Sequence, residues 1–195
     1  MLTAITGINW GDEGKGRMVD LLSREYDIVA RYQGGNNAGH TVINERGKFV
    51  LNLLPSGILR EGVVCVMGNG MVIDPAHLEK EIAALREKGV SITPENLKIS
   101  GRATVCMPYH VAEDGLEEDR LSKSGSQFGS TRRGIAYSYG DKYMKKTLRM
   151  ADLAHPDEGV RRRLETMVEW KNLTMVDIYG QKPLDVDELW AWCLK

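Results

Sequence analysis

The chain opens on a short apolar, β-branched run, "LTAITG" at 2–7, which predicts a buried first strand. "GKGRMVDLLSREY" follows with Met18, Leu21 and Leu22 at helical spacing, and "DIVARYQ" at 27–33 predicts a second strand. Strand, glycine-rich loop, helix and strand make a βαβ unit, so the sheet is at least partly parallel. At 41–55 alternating apolar residues flank "INERGK", the pattern of a β-hairpin. "VVCVM" at 63–67 predicts a further buried strand. Asp74 then caps a helix with Pro75 in its first position, Leu78, Ile82 and Leu85 as its stripe, and Gly89 at its end.

Two more strand patterns occupy 96–100 and 102–107, and a helix carrying Leu116 and Leu121 comes next. The stretch 122–142 is glycine- and serine-rich and basic, and reads as one long loop, a kind that is usually functional or disordered. A basic amphipathic helix covers 157–170 with Leu164, Met167 and Val168 inward. "DVDELWAWCLK" starts a last helix near Asp185 or Asp187. It stops after about two turns, and its Trp190 and Trp192 call for a packing partner, so the chain reads as cut short and the helix as having lost that partner. Together these patterns predict an α/β fold: a mostly parallel central sheet, flanking helices and a β-hairpin insertion. The whole of 1–195 reads as part of a single domain.

Composition narrows the partners. Of 195 residues, 26 are Lys or Arg and 27 are Asp or Glu, a net charge of −1, which gives no electrostatic case for nucleic acid or an anionic membrane. No apolar run approaches the roughly 18 residues of a membrane span. The N-terminus carries no signal-peptide pattern. Cys65, Cys106 and Cys193 are far apart and odd in number, which disfavours a zinc site or a disulfide framework and suits buried thiols in a reducing cytoplasm.

The chemistry is concentrated in three stretches. "GINWGDEGKGRMVD", 7–20, has the glycines, lysine and following helix of a phosphate loop. It departs from the usual form because Gly16, not Ser or Thr, follows Lys15, so the hydroxyl that normally holds magnesium is missing. Asp12 is the candidate replacement ligand, since magnesium prefers hard oxygen donors. A solvated turn with incidental acids is the bland alternative. The second stretch, "RYQGGNNAGHT" at 31–41, falls at the carboxyl end of the second strand, where ligands bind in such sheets. A lone histidine is weak, but His40 opposite Asp12 makes an acid and a base converging on one phosphate cleft. His77, His110 and His155 read as structural or surface residues. The third stretch, "FGSTRRGIAYSYGDK", offers Ser130, Thr131, Arg132 and Arg133, which suit a phosphate monoester, with a disordered basic loop as the alternative.

"WGDEGKG", "RYQGGNNAGHT", "LLPSGIL", "GNGMVI" and "GSTRRGIAYSYGDK", in this order and spacing, resemble the adenylosuccinate synthetase family through most of the chain. The resemblance implies a ligase of purine biosynthesis. It uses GTP and Mg²⁺ to join IMP and L-aspartate, through a 6-phosphoryl intermediate, into adenylosuccinate. Asp12 takes the proton from N1 of the base and ligates the metal with the Gly39 carbonyl, and His40 acts as the acid. Gly11, Asp12, Glu13, Gly14, Lys15, Gly16 and Arg17 line the GTP phosphates, with Gly39, His40 and Thr41 beside them. The IMP site draws on Asp12, Glu13, Gly14, Lys15, Asn37, Ala38, Gly39, His40 and Thr131, with Lys145 contributed across a homodimer. The carboxylate in the phosphate loop thereby faces a metal ion and an acidic N–H rather than bare phosphate.

Some positions depart from the family. Arg132 stands where a glycine is typical, Lys145 where many members place an arginine, and Ala136-Tyr137 where many have Gly-Pro. Lysine keeps the charge but not the two-pronged fork. The family's guanine- and aspartate-binding segments have no match, so the chain reads as the front part of the enzyme, inactive alone. A non-catalytic remnant that binds nucleotide phosphate or IMP is the alternative. An unrelated phosphate-loop GTPase is disfavoured because no Ser or Thr follows Lys15.

Overall fold

The computed structural model describes residues 1–8, 14–44 and 47–195. A parallel sheet is built from β1 (Ile28–Gly34), β4 (Val64–Ile73) and β5 (Leu97–Ile99), with β6 (Thr104–Val105) pairing with the far end of β4. β2 (His40–Asn44) and β3 (Gly47–Leu51) form the expected antiparallel hairpin, which pairs His40 with Leu51. Its turn residues Glu45 and Arg46 lie outside the described residues.

Around the sheet run α1 (Lys15–Leu22), α2 (Pro75–Glu87), α3 (Pro108–Ser122), α4 (Ile135–Tyr143), α5 (Met150–Ala154), α6 (Glu158–Asn172) and α7 (Val186–Cys193). α2 begins as its sequence dictates: the Asp74 carboxylate accepts the His77 N–H at 3.0 Å, Pro75 occupies the first turn, and Gly89 follows the helix at positive φ. Leu78 and Leu85 of α2 pack with Val29, Phe49, Leu51, Cys65 and Met67 into the larger core. A second core gathers Val105, Tyr109, Leu164, Val168 and Leu189 from β6, α3, α6 and α7, with Leu148 from the connection before α5.

Four expectations are corrected. Residues 2–7 form no strand, and Leu2 and Ile8 are 95% and 92% exposed. An extended segment needs a ladder neighbour for its N–H and C=O groups; β1 pairs only with β4 among the described residues, and 2–7 joins neither edge. Met18 and Leu21 face water, because α1 turns Val19 to the core and Asp20 to Arg60, at 3.0 Å. The long stretch 122–142 is not one loop: α4 takes its second half. Finally, α7 does have a partner. Its Asp185 cap accepts the N–H groups of Asp187 and Glu188, Leu189 and Cys193 are buried, and Trp190 and Trp192 pack on the second core.

The three thiols are buried and free. Burial pushes Cys65 up to about 12 and Cys106 and Cys193 up to about 11, so none is a nucleophile at neutral pH.

Candidate active site

Gly11, Asp12 and Glu13 lie outside the described residues, so the site is built from its other side. Gly14 sits at positive φ, 76°, and its carbonyl accepts the N–H groups of Arg17 and Met18. Lys15, Gly16 and Arg17 form the first turn of α1. That turn packs against the first residue of β2. A Cβ built on Gly16 would lie 2.6 Å from Cγ of His40. Glycine is needed there because the imidazole fills the space. The two sequence motifs, well separated along the chain, thus meet at this contact.

The approach of β2 is fixed from beneath. The Arg31 guanidinium, on β1, donates to the carbonyls of Asn52, Leu53 (3.1 Å) and Gly35 (2.8 Å). From the opposite side, the Glu81 carboxylate of α2 accepts the N–H groups of Asn52, Leu53 and Leu54 at 2.9, 2.9 and 3.3 Å. A half-buried cation and a buried anion so satisfy the backbone that follows the hairpin. The Asn52 side chain then lies against Gly39 and reaches Nε2 of His77 at 3.3 Å. His77 therefore supports the cleft, in keeping with a structural role.

Asn37, Ala38 and Gly39 are exposed in the connection between β1 and β2, His40 is half-buried, and Thr41 pairs with Val50. Buried Asn36 anchors this connection by donating to Asp74 at 3.3 Å. Burial pushes the His40 imidazole below its ordinary range, and the Arg31 charge adds to this, while Glu81 and Asp20 pull the other way.

The third stretch comes to the same end of the sheet. Ile135, at the start of α4, packs so closely on Gly35 that a Cβ there would sit 2.5 Å from its Cδ1. The Tyr139 hydroxyl accepts the Gly34 N–H at 2.8 Å and donates to the Gly70 carbonyl at 2.9 Å, tying α4 to β1 and β4. Thr131 is exposed in the loop that enters α4. Lys145 lies beyond the other end of that helix, exposed and at positive φ, 62°, so the fold does not bring it to the same cleft in its own chain.

The sequence reading missed the residues that hold these loops: Arg31, Glu81, Asp114, Glu118 and Tyr139. No local signal marked them, since a charged or hydroxyl side chain on a helix or strand reads as solvated until the fold is known to bury it.

Loops gathered at the carboxyl end of a parallel sheet, with a glycine-led helix N-terminus among them, define an α/β domain of the ligand-binding type. The adenylosuccinate synthetase family model matches residues 4–195. The chain belongs to this family. It is 45% identical over 194 residues to adenylosuccinate synthetase of Dehalococcoides mccartyi, covering 100% of this chain and 45% of that protein. It is 48% identical to the Oleidesulfovibrio alaskensis protein of the same name, over 94% of this chain and 42% of that one. Among solved structures it is similar to fully ligated adenylosuccinate synthetase from Plasmodium falciparum, with 32% identity, a TM-score of 0.77, and coverage of 96% of this chain and 42% of that one. The chain thus spans less than half the length of these relatives. No helix among the described residues is long and apolar enough to cross a membrane.

Proposed function

We propose that this chain supplies the nucleotide-phosphate and IMP side of a GTP-dependent ligase that joins IMP and L-aspartate into adenylosuccinate. Its setting is the cytoplasm, with neither nucleic acid nor membrane as partner. The carrying observation is the contact of Gly16 with His40, which sets an imidazole directly against the first turn of α1. A helix N-terminus favours phosphate through its N–H groups and its dipole. Lys15 and Arg17 add charge there. His40, beside the same turn, is the acid that neutralises the transferring phosphoryl group and O6 of the base. Burial lowers its pKa, and phosphate charge at contact distance works in the opposite direction.

Asp12, in the loop that ends at Gly14, is the base for N1 and completes the pair. Among the described residues no three His, Cys, Asp or Glu side chains gather to hold an ion. Mg²⁺ needs no such cluster, since it keeps its waters and takes one or two carboxylates beside substrate phosphates. Asp12 and the Gly39 carbonyl are the donors this chain offers it, and when bound it neutralises charge on the phosphates. Asn37, Ala38 and Thr131 line the IMP side, supported by the packing of Ile135 on Gly35.

The full enzyme is a twofold homodimer, the commonest oligomer class. Lys145, beyond the far end of α4, serves the partner's site rather than its own. The experiment is a full-length His40→Asn enzyme in which GTP affinity and turnover are measured separately. Preserved affinity with a strong loss of turnover supports the acid role. A raised Michaelis constant with unchanged turnover contradicts it.

A further inference from the structure

α3 buries charge where a helix normally buries aliphatics. Glu113, Asp114 and Glu118 are all buried on its inner face. Glu113 pairs with Lys171 at 2.7 Å. Asp114 and Glu118 pair with no lysine or arginine among the described residues. A buried carboxylate costs several kcal/mol unless its oxygens are hydrogen-bonded, and these two are, by the backbone of one loop. Glu118 accepts the N–H groups of Phe128, Gly129 and Ser130 at 3.2, 2.6 and 3.2 Å. One turn away, Asp114 accepts the Ser130 hydroxyl at 2.5 Å and the Gly134 N–H at 2.8 Å.

The loop is also pressed onto the helix. A Cβ on Gly134 would lie 2.6 Å from the His110 carbonyl carbon and from the Val111 nitrogen. Both ends of the segment 128–134 are therefore fixed, while Thr131, Arg132 and Arg133 between them stay exposed. Five hydrogen bonds to two carboxylates are more than a surface connection needs. A glycine- and serine-rich loop left free would have to be ordered by its ligand at the cost of affinity.

We infer that Asp114 and Glu118 are positioning residues that hold the loop 128–134 in the conformation presenting Thr131 to the monophosphate group of the purine substrate. The inference rests on the reading of Thr131 as part of the IMP site. Each carboxylate acts through the loop and touches no substrate. Gly129 and Ser130 share one Glu118 oxygen and Phe128 takes the other, so glutamine at 118 turns an amide donor toward at least one backbone N–H, removes the charge, and loosens the clamp with little change of volume.

The test uses the 195-residue chain with Glu118→Gln, Asp114→Asn and, as a mild variant sure to keep the helix face, Ser130→Ala. Amide hydrogen exchange is read at 128–134 and at β4, and IMP is titrated by NMR. The expected result is exchange at least tenfold faster in 128–134 with β4 unchanged, together with IMP affinity at least threefold weaker. Unchanged loop exchange in Glu118→Gln and Ser130→Ala overturns the clamp. Faster exchange with unchanged IMP affinity, while Thr131→Ala weakens IMP, overturns the positioning role alone. If neither Thr131→Ala nor the clamp variants alter IMP affinity, the reading of Thr131 is what fails, and the positioning role falls with it.

Discussion

Gly16 and His40 share a space that admits no methyl group: a Cβ on Gly16 would meet Cγ, Cβ and Cδ2 of His40 at 2.6, 2.8 and 2.8 Å. The contact involves the root of the imidazole side chain rather than a mobile tip, so the ring cannot simply swing aside. Gly16→Ala should gain up to about 1 kcal/mol of helix propensity and lose about 1–3 kcal/mol to overpacking. The expected net effect is a destabilisation of about 1 kcal/mol, read as a lower urea midpoint at unchanged slope. The paired variant Gly16→Ala with His40→Ala should recover most of it.

Arg132 occupies the left-handed region at φ 55°. The conformation costs an L-residue roughly 1–2 kcal/mol. Its exposed ion pair with Asp119, at 2.6 Å, returns at most about 1 kcal/mol. Arg132→Gly and Arg132→Ala both lose the pair, but only glycine relieves the backbone. Arg132→Gly should therefore be the more stable of the two by about 1 kcal/mol in chemical denaturation.

Acid should weaken the fold through His110. The Met107 N–H donates to its Nδ1 at 3.0 Å, so the ring is neutral and its Nε2 hydrogen faces Asp141 at 2.9 Å. Burial pushes its pKa below the ordinary value, outweighing Asp141. A folded value below the unfolded one gives stability that is complete above the unfolded value, about 6.5, and lost as pH falls through that value toward the folded one. His40, also lowered, has the same sign. Asp141 adds a loss only in stronger acid: burial alone would raise it, but the His110 hydrogen bond and the Lys171 charge hold it below the usual carboxylate range. Glu113, raised by burial, works in the opposite sense. Unfolding free energy should fall between pH 7 and 5.5, and His110→Gln should flatten part of that slope. An unchanged slope in the variant would assign the effect elsewhere.

Much of the frame was legible because it rests on local chemistry. Asp74, Pro75 and Gly89 announce α2 by capping rules that need no tertiary context. The hairpin, β1 and the first part of β4 follow from periodicity and β-branching, read as 27–33 and 63–67; the continuation of β4 to Ile73 was not read, because its glycines break the strand pattern. The apolar run at 2–7 has the same composition, but strand formation depends on a neighbour, and sequence alone does not say whether one is present. The strand-end motif was legible from its glycines and His40. The clamps of Asp114 and Glu118 were not, because a charged residue on a helix reads as solvated until the fold is known to bury it.

The 195-residue chain, assayed alone with GTP, Mg²⁺, IMP and L-aspartate, should make no adenylosuccinate. It should bind GTP with little preference over ATP. On the proposed reading Lys15, Gly39 and His40 serve phosphate, while the guanine and aspartate sites that the resemblance implies have no match in this chain, and discrimination requires buried, paired polar groups around the base. Product from this chain alone, or a clear preference for GTP in paired titrations, would mean that these residues suffice.

The most direct measurement concerns the carboxylate in the phosphate loop. Adenylosuccinate formation is followed in the full-length enzyme and in its Asp12→Ala variant, at saturating GTP, IMP and aspartate. General-base assistance alone is worth roughly 10²–10⁴-fold, and the metal contact is lost with it. The variant should therefore fall by at least about 10²-fold in turnover, with its fold retained. A rate within tenfold of the parent would contradict the assignment of Asp12 as base and metal ligand, and with it the proposed chemistry of this site.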